Sequence, residues 1–187
     1  EIKFDISQIK LVTLDIEVAS EHGFPDVESC SEEILAISIQ DYTTKQIITW
    51  GSKPFENNRK DVTYHHCPTE YQLLSSFINY WMEDVPDVIT GWNIQLYDIP
   101  YIARRIQRVL GEKLMKRLSP WGLVSEGETY IKGRRHITFD VGGVTQLDYL
   151  DLYKKFTYKA QESYRLDYIA NVELGQKKLD HSEFDTF

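Results

Sequence analysis

Two carboxylates stand two residues apart in Lys10 to Val18, a run reading Lys-Leu-Val-Thr-Leu-Asp-Ile-Glu-Val. On an extended chain, residues i and i+2 share one face of a sheet, which sets Asp15 and Glu17 side by side. Two neighbouring like charges resist ionising, so a cation between them is what would make the arrangement favourable. An all-oxygen pair of this kind suits Mg²⁺ or Mn²⁺. A solvated acidic edge strand is the plainer account of any Asp-x-Glu. Here Leu11, Val12, Leu14, Ile16 and Val18 mark a central, covered strand, which makes Asp15 and Glu17 candidate ligands.

A third carboxylate falls in Gly91-Trp-Asn-Ile-Gln-Leu-Tyr-Asp-Ile-Pro-Tyr101. Asp98 precedes Ile99-Pro100, the signature of a helix start. Helix capping alone would account for an Asp there. It would not account for Asn93 and Tyr97 crowding the same turn. Phe24 lies in the polar loop Ala19 to Ser31, either folded back on the core or offered to a base for stacking. His65-His66-Cys67 is not read as a zinc site, because successive strand residues point to opposite faces.

Elements that could position these residues are legible around them. Strands are predicted over Glu33–Gln40, Gln46–Trp50, Val62–His65 and Asp87–Thr90. Thr69-Glu-Tyr-Gln opens a helix with a capping box, and Leu74, Phe77, Ile78 and Trp81 give it one apolar stripe ending before Pro86. A second helix runs from Asp98 to Gly111, with Ile102, Ile106, Val109 and Leu110 as its buried face. Tyr130 to Phe139 reads as a β-hairpin whose tip is Lys132-Gly133-Arg134-Arg135. Gln146–Phe156 and Ser163–Leu174 read as helices, the latter capped by Ser163 and stopped by Gly175. Together these predict an α/β layer structure with an antiparallel sheet first and crossover helices later. Asp180 to Phe187 shows no pattern.

The 187 residues, 42% of them hydrophobic, suffice for a single well-filled core. No apolar run approaches the length of a membrane span, and nothing at the start resembles a signal peptide. Cys30 and Cys67 have no partner spacing and read as free thiols of a reducing compartment. The net charge of −8 argues against generic nucleic-acid binding, yet it is unevenly spread. Residues 1–100 carry 6 Lys and Arg against 17 Asp and Glu, whereas residues 101–159 carry 12 against 6. An acidic half fit for metal is joined to a basic half fit for phosphate. Arg104, Arg105, Arg108, Lys113, Lys116 and Arg117 are accordingly expected to form a phosphate-facing surface.

Asp15-Ile16-Glu17 followed by Asn93 through Asp98 resembles the first two exonuclease motifs, D-x-E and N-x-x-x-[FY]-D, of the proofreading domain of family B DNA polymerases. Gly111 to Pro120 and Asp148 to Phe156 are similar to segments of the replicative polymerases of T-even-like bacteriophages, so the likeness covers nearly the whole chain. The resemblance implies a ribonuclease H-like mixed sheet flanked by helices, with an inserted β-hairpin, over residues 1–187. It also implies a 3′→5′ exonuclease using two Mg²⁺ or Mn²⁺ ions. Asp15 would bridge them, Glu17 would hold the nucleophile-side ion and Asp98 would help hold the other. Asn93, Tyr97 and Phe24 would contact the terminal nucleotide, and Lys132, Arg134 and Arg135 would contact the strands.

The implied partners are single-stranded DNA or a frayed primer 3′ end, the remainder of a polymerase chain and a sliding clamp. The implied setting is the cytoplasm of a phage-infected bacterial cell, with no membrane. The family's third motif, Y-x-x-x-D, is absent: Tyr164-Arg-Leu-Asp167 has the wrong spacing, and Asp148 and Asp151 are expected to be capping or structural. The chain is therefore expected to be a piece of a proofreading domain carrying three of four carboxylates, with slight or no hydrolysis of its own. A non-catalytic single-strand-binding module of the same fold is the alternative, and a stand-alone exoribonuclease of the same superfold is a third.

Overall fold

A computed structural model describes residues 5–20, 23 and 25–176. Alternating apolar residues build the first strand, β1 (Leu11–Val18), and it pairs antiparallel with β2 (Ile34–Asp41). The sheet continues through β3 (Ile47–Gly51) and β4 (Val62–His66). Helix α1 (Glu70–Glu83) then leads to β5 (Val88–Gly91), and α2 (Asp98–Leu110) is followed by the short α3 (Glu112–Met115). The hairpin β6 (Val124–Ile131) and β7 (Arg134–Val141) precedes β8 (Thr145–Asp148), α4 (Tyr149–Phe156) and α5 (Leu166–Leu174).

The six-stranded sheet runs β4-β3-β2-β1-β5-β8. Strands β1, β5 and β8 are parallel to one another, while β2 is antiparallel to both β1 and β3. This is the mixed sheet with flanking helices expected from the sequence, and β1 is central as predicted. It is not covered on both faces, however. Val12, Leu14 and Ile16 are buried beneath the helices, whereas Thr13, Asp15 and Glu17 are exposed. Cross-strand partners carry the polar face onward: Asp15 sits opposite Ser38, whose hydroxyl bonds that of Thr49 at 2.9 Å.

Helix α1 begins where its capping box places it, with Thr69 Oγ1 accepting from the Gln72 amide at 3.3 Å. Its predicted stripe of Leu74, Phe77, Ile78 and Trp81 is buried in full. Helix α2 ends at Gly111, at φ +95°, and Gly175 closes α5 in the left-handed conformation. The hairpin turn at Lys132-Gly133 has both φ angles positive, and its strands extend further than predicted. Ile137, Phe139 and Val141 of β7 join the core, so the hairpin is anchored along one strand.

Two predicted helices are corrected. Gln146 to Asp148 belong to β8, because these residues complete a parallel ladder on β5, and α4 starts only at Tyr149. Helix α5 starts at Leu166 without a side-chain cap, so Ser163 does not serve as one.

Candidate nuclease site

Asp98 reaches β1 where that strand outruns β5, one residue past Asp15. Parallel pairing between the two strands covers only Leu11 to Thr13 of β1. Beyond it, the Ile16 amide needs an acceptor, and Asp98 Oδ1 supplies one at 3.2 Å. The first residue of α2 thus replaces the missing ladder partner. Asp98 does not cap its own helix; its carboxylate is committed across the chain to the strand that carries Asp15 and Glu17. A register shift between Glu17 and Val18 ends the regular pairing with β2 at the same place.

Gly91 permits this approach. A Cβ there would fall 2.6 Å from the Leu14 carbonyl oxygen and 2.5 Å from Ile94 Cγ2. The chain then turns through Asn93, at φ +67°, a conformation Asn tolerates better than most residues. Asn93 O accepts from the amides of Leu96 and Tyr97 at 3.2 and 3.1 Å, and Ile94 O accepts from Ile99 at 3.0 Å, which delivers the chain into α2.

Asp98 is 4% exposed. Burial, and next the negative charge of Asp15, push its carboxyl from the ordinary 3.8 to about 7, against the opposing pull of backbone hydrogen bonds including that from Ile16. Tyr97 is pushed up to about 12 by burial and then by Asp98, which keeps its phenol protonated near neutral pH. Among the described residues no three His, Cys, Asp or Glu side chains are gathered as a ready-made metal cage. The donors nevertheless suit a hard divalent ion: all are oxygens, and the buried one carries a charge penalty that a cation would relieve.

Asn93, Leu96 and Tyr97 open into a cavity of about 540 Å³. Its opposite wall is the turn end of β7, Arg134 to Ile137, and its rim is the loop from Pro25 to Glu28. The structure therefore brings Arg134 and Arg135 to the same cavity as Asn93 and Tyr97, while Lys132 sits exposed at the hairpin turn. Phe24 lies outside the described residues. Arg135 is already engaged, with Glu128 at 2.6 Å and Glu28 at 3.2 Å.

The expected phosphate-facing surface on α2 is corrected. Arg105 is buried against Glu70 and also donates to the Cys30 and Ser31 carbonyls. Arg104 donates to the carbonyls of Val27 and Glu28 and pairs with Glu126, and Arg108 donates to those of Ser29 and Cys30. Cys30 itself holds a φ of +46°. These cations satisfy the carbonyls of a loop that has no sheet partner, a demand invisible in a count of charges. Lys116 pairs with Glu112 one turn away.

Two contributors were not anticipated. His136 lines the cavity, and no sequence signal marked it. Asp148 caps α4 as expected, accepting from Leu150 at 2.9 Å, but it also accepts from the amides of Asn93 at 3.0 Å and Gln95 at 3.1 Å.

Residues 3–169 match the family described as DNA polymerase family B, exonuclease domain. The chain belongs to that family. It is 33% identical over 208 aligned positions to the DNA-directed DNA polymerases of Escherichia phage RB69 and Enterobacteria phage T4, covering 97% of this chain and 23% of each relative. It is 27% identical over 180 positions to the DNA polymerase catalytic subunit of human herpesvirus 6B, covering 89% of this chain and 17% of that one. The chain thus spans about a quarter of the phage polymerases it matches. A family B exonuclease domain carries the ribonuclease H-like fold, in keeping with the sheet and helices described above. No helix of the described residues is long and apolar enough to cross a membrane.

Proposed function

We propose that this chain is the proofreading region of a DNA polymerase, a 3′→5′ exonuclease acting on single-stranded DNA or a frayed primer end. The observation that carries the proposal is Asp98: a buried carboxylate, hydrogen-bonded to β1 one residue past Asp15 and pushed to about 7 by burial and by that neighbour. Asp15, Glu17 and Asp98 would hold divalent cations, Mg²⁺ or Mn²⁺. Bound there, such ions supply a water made nucleophilic near neutral pH and charge stabilisation for the leaving oxygen.

The chain's own side chains do the rest. Asn93 and Tyr97 would seat the terminal nucleotide in the cavity, which is within the usual size range for a ligand site. Protonated Tyr97 can donate a hydrogen bond there. Arg134, with Arg135 and Lys132 nearby, would meet the phosphate backbone. Phe24, by the family likeness, would stack on the end of the strand. By the family likeness, the Tyr and the carboxylate of the third motif would complete the site, and the remainder of a polymerase chain and a sliding clamp would be its partners. The proposed setting is the cytoplasm of an infected bacterial cell.

Titration with Mn²⁺ followed by calorimetry tests the proposal. Saturable binding that Asp15→Ala abolishes is expected. Salt-sensitive binding of single strands, indifferent to Asp15→Ala and to Mn²⁺, would favour a non-catalytic module. Because the arginines of α2 are committed to internal carbonyls, that alternative gains no support from them.

A further inference from the structure

Asp148 stands at the end of β8, 5% exposed, with both carboxylate oxygens in use. Oδ1 accepts from the Asn93 amide at 3.0 Å and the Leu150 amide at 2.9 Å, and Oδ2 accepts from the Gln95 amide at 3.1 Å. One side chain therefore fixes two amides of the turn after β5, fifty-odd residues away in sequence. A capping role needs only the Leu150 bond. The two others fall on either side of Ile94, around the one residue of that turn at positive φ, Asn93.

The surroundings reinforce the clamp. Gly91 of β5 pairs with Asp148 of β8, so the carboxylate is presented from the adjacent strand. The Gln95 side-chain amide donates to the Gln146 carbonyl at 3.1 Å, a second tie between the turn and β8. Trp92 is held by Tyr164 O through its indole at 3.1 Å and packs against Tyr149 and Tyr153 at centroid distances of 6.2 and 5.9 Å. Every residue from Gly91 to Gln95 except Ile94 is thus tied to β8 or to the chain between Tyr149 and Tyr164. Ile94, fully buried, faces the core.

We propose that Asp148 is a positioning residue: it holds the Asn93 turn in its left-handed conformation and so sets Asn93 toward the terminal nucleotide. The inference rests on the proposed nucleotide-binding role of that turn. Without the two bonds to Oδ1 and Oδ2, Asn93 can relax to the negative φ that most residues prefer, and its side chain leaves the cavity wall. A carboxylate is required, because only a group with two acceptor oxygens and no donor can take three amides. In Asp148→Asn one oxygen becomes an N–H₂ facing an N–H.

The test is a double-mutant cycle on binding, read by fluorescence anisotropy of a 5′-fluorescein-labelled thymidine heptamer with a free 3′ hydroxyl, in Ca²⁺. Folded protein is confirmed for each variant by circular dichroism. Asp148→Asn is expected to weaken binding about tenfold, the equivalent of one lost hydrogen bond to a charged group. In an Asn93→Ala background the same change should have almost no effect, since the group it positions is gone. Equal loss in both backgrounds, or no loss in folded Asp148→Asn, would overturn the inference and leave the nuclease reading intact. Absence of binding by the unsubstituted chain would overturn both. Should Asp148→Asn fail to fold, hydrogen exchange of the unsubstituted chain decides: slow exchange at the Asn93 and Gln95 amides is expected, and rapid exchange at both refutes the clamp.

Discussion

Replacing Asp98 by Asn should make the metal-free protein more stable above neutral pH while removing its affinity for Mn²⁺. The oxygen that accepts from Ile16 can be retained in Asn, so the link between α2 and β1 survives. What changes is charge. Folding raises the Asp98 carboxyl from 3.8 to about 7, so the folded state favours the protonated form. The stability this contributes is fully present below the unfolded value and is lost as pH rises through the folded one. At about 1.36 kcal/mol per decade, ionising Asp98 at pH 8 costs the folded state up to ~4 kcal/mol. Asn carries no such penalty.

Urea unfolding in EDTA from pH 4 to pH 8.5 measures it. Parent and variant should be nearly equal at pH 4 and diverge as pH climbs to 7, with the variant ahead by about 2–4 kcal/mol at pH 8. Saturating Mn²⁺ should close the gap by stabilising the parent alone, by ~2.7 kcal/mol at a hundredfold excess over its dissociation constant. A difference between the two proteins that stays constant with pH would refute the desolvated, Asp15-opposed carboxylate. So would equal stabilisation of both by Mn²⁺.

Three other substitutions probe the same contacts. Arg105→Ala leaves Glu70 buried and the Cys30 and Ser31 carbonyls without their donor, and should cost about 3–5 kcal/mol in urea unfolding. Gly91→Ala drives a methyl against the Leu14 carbonyl and Ile94, and should cost about 1–3 kcal/mol and weaken Mn²⁺ binding by moving Asp98 from β1. Arg134→Ala, at the cavity wall, should leave the melting temperature unchanged and lower the salt dependence of single-strand binding by about one counterion, read as the slope of log affinity against log salt.

The strands and the two long helices were legible because periodicity and caps state local preferences directly. Thr69, Gly111 and Gly175 did in the structure what their types predict. β8 was hidden because Thr145 to Asp148 gain their extended form from a parallel neighbour far away in sequence. The sequence singles out three candidate carboxylates and a turn, but not the contact that joins Asp98 to β1. Nothing in the sequence reveals that β5 stops short of Ile16, which is why Asp98 faces β1 instead of its own helix. The arginines misled for a related reason. A basic run looks like a surface until the carbonyls it must satisfy, those of Val27 to Ser31, are placed beside it.

Digestion of a 5′-labelled single-stranded oligonucleotide in Mn²⁺ tests the central claim most directly, using this chain extended by the family's third motif, with and without Asp15→Ala. Products shortening stepwise from the 3′ end, and lost in the substituted protein, are the predicted result. Intact substrate with the unsubstituted chain, or a ladder that survives Asp15→Ala, would contradict the assignment of hydrolysis to these carboxylates.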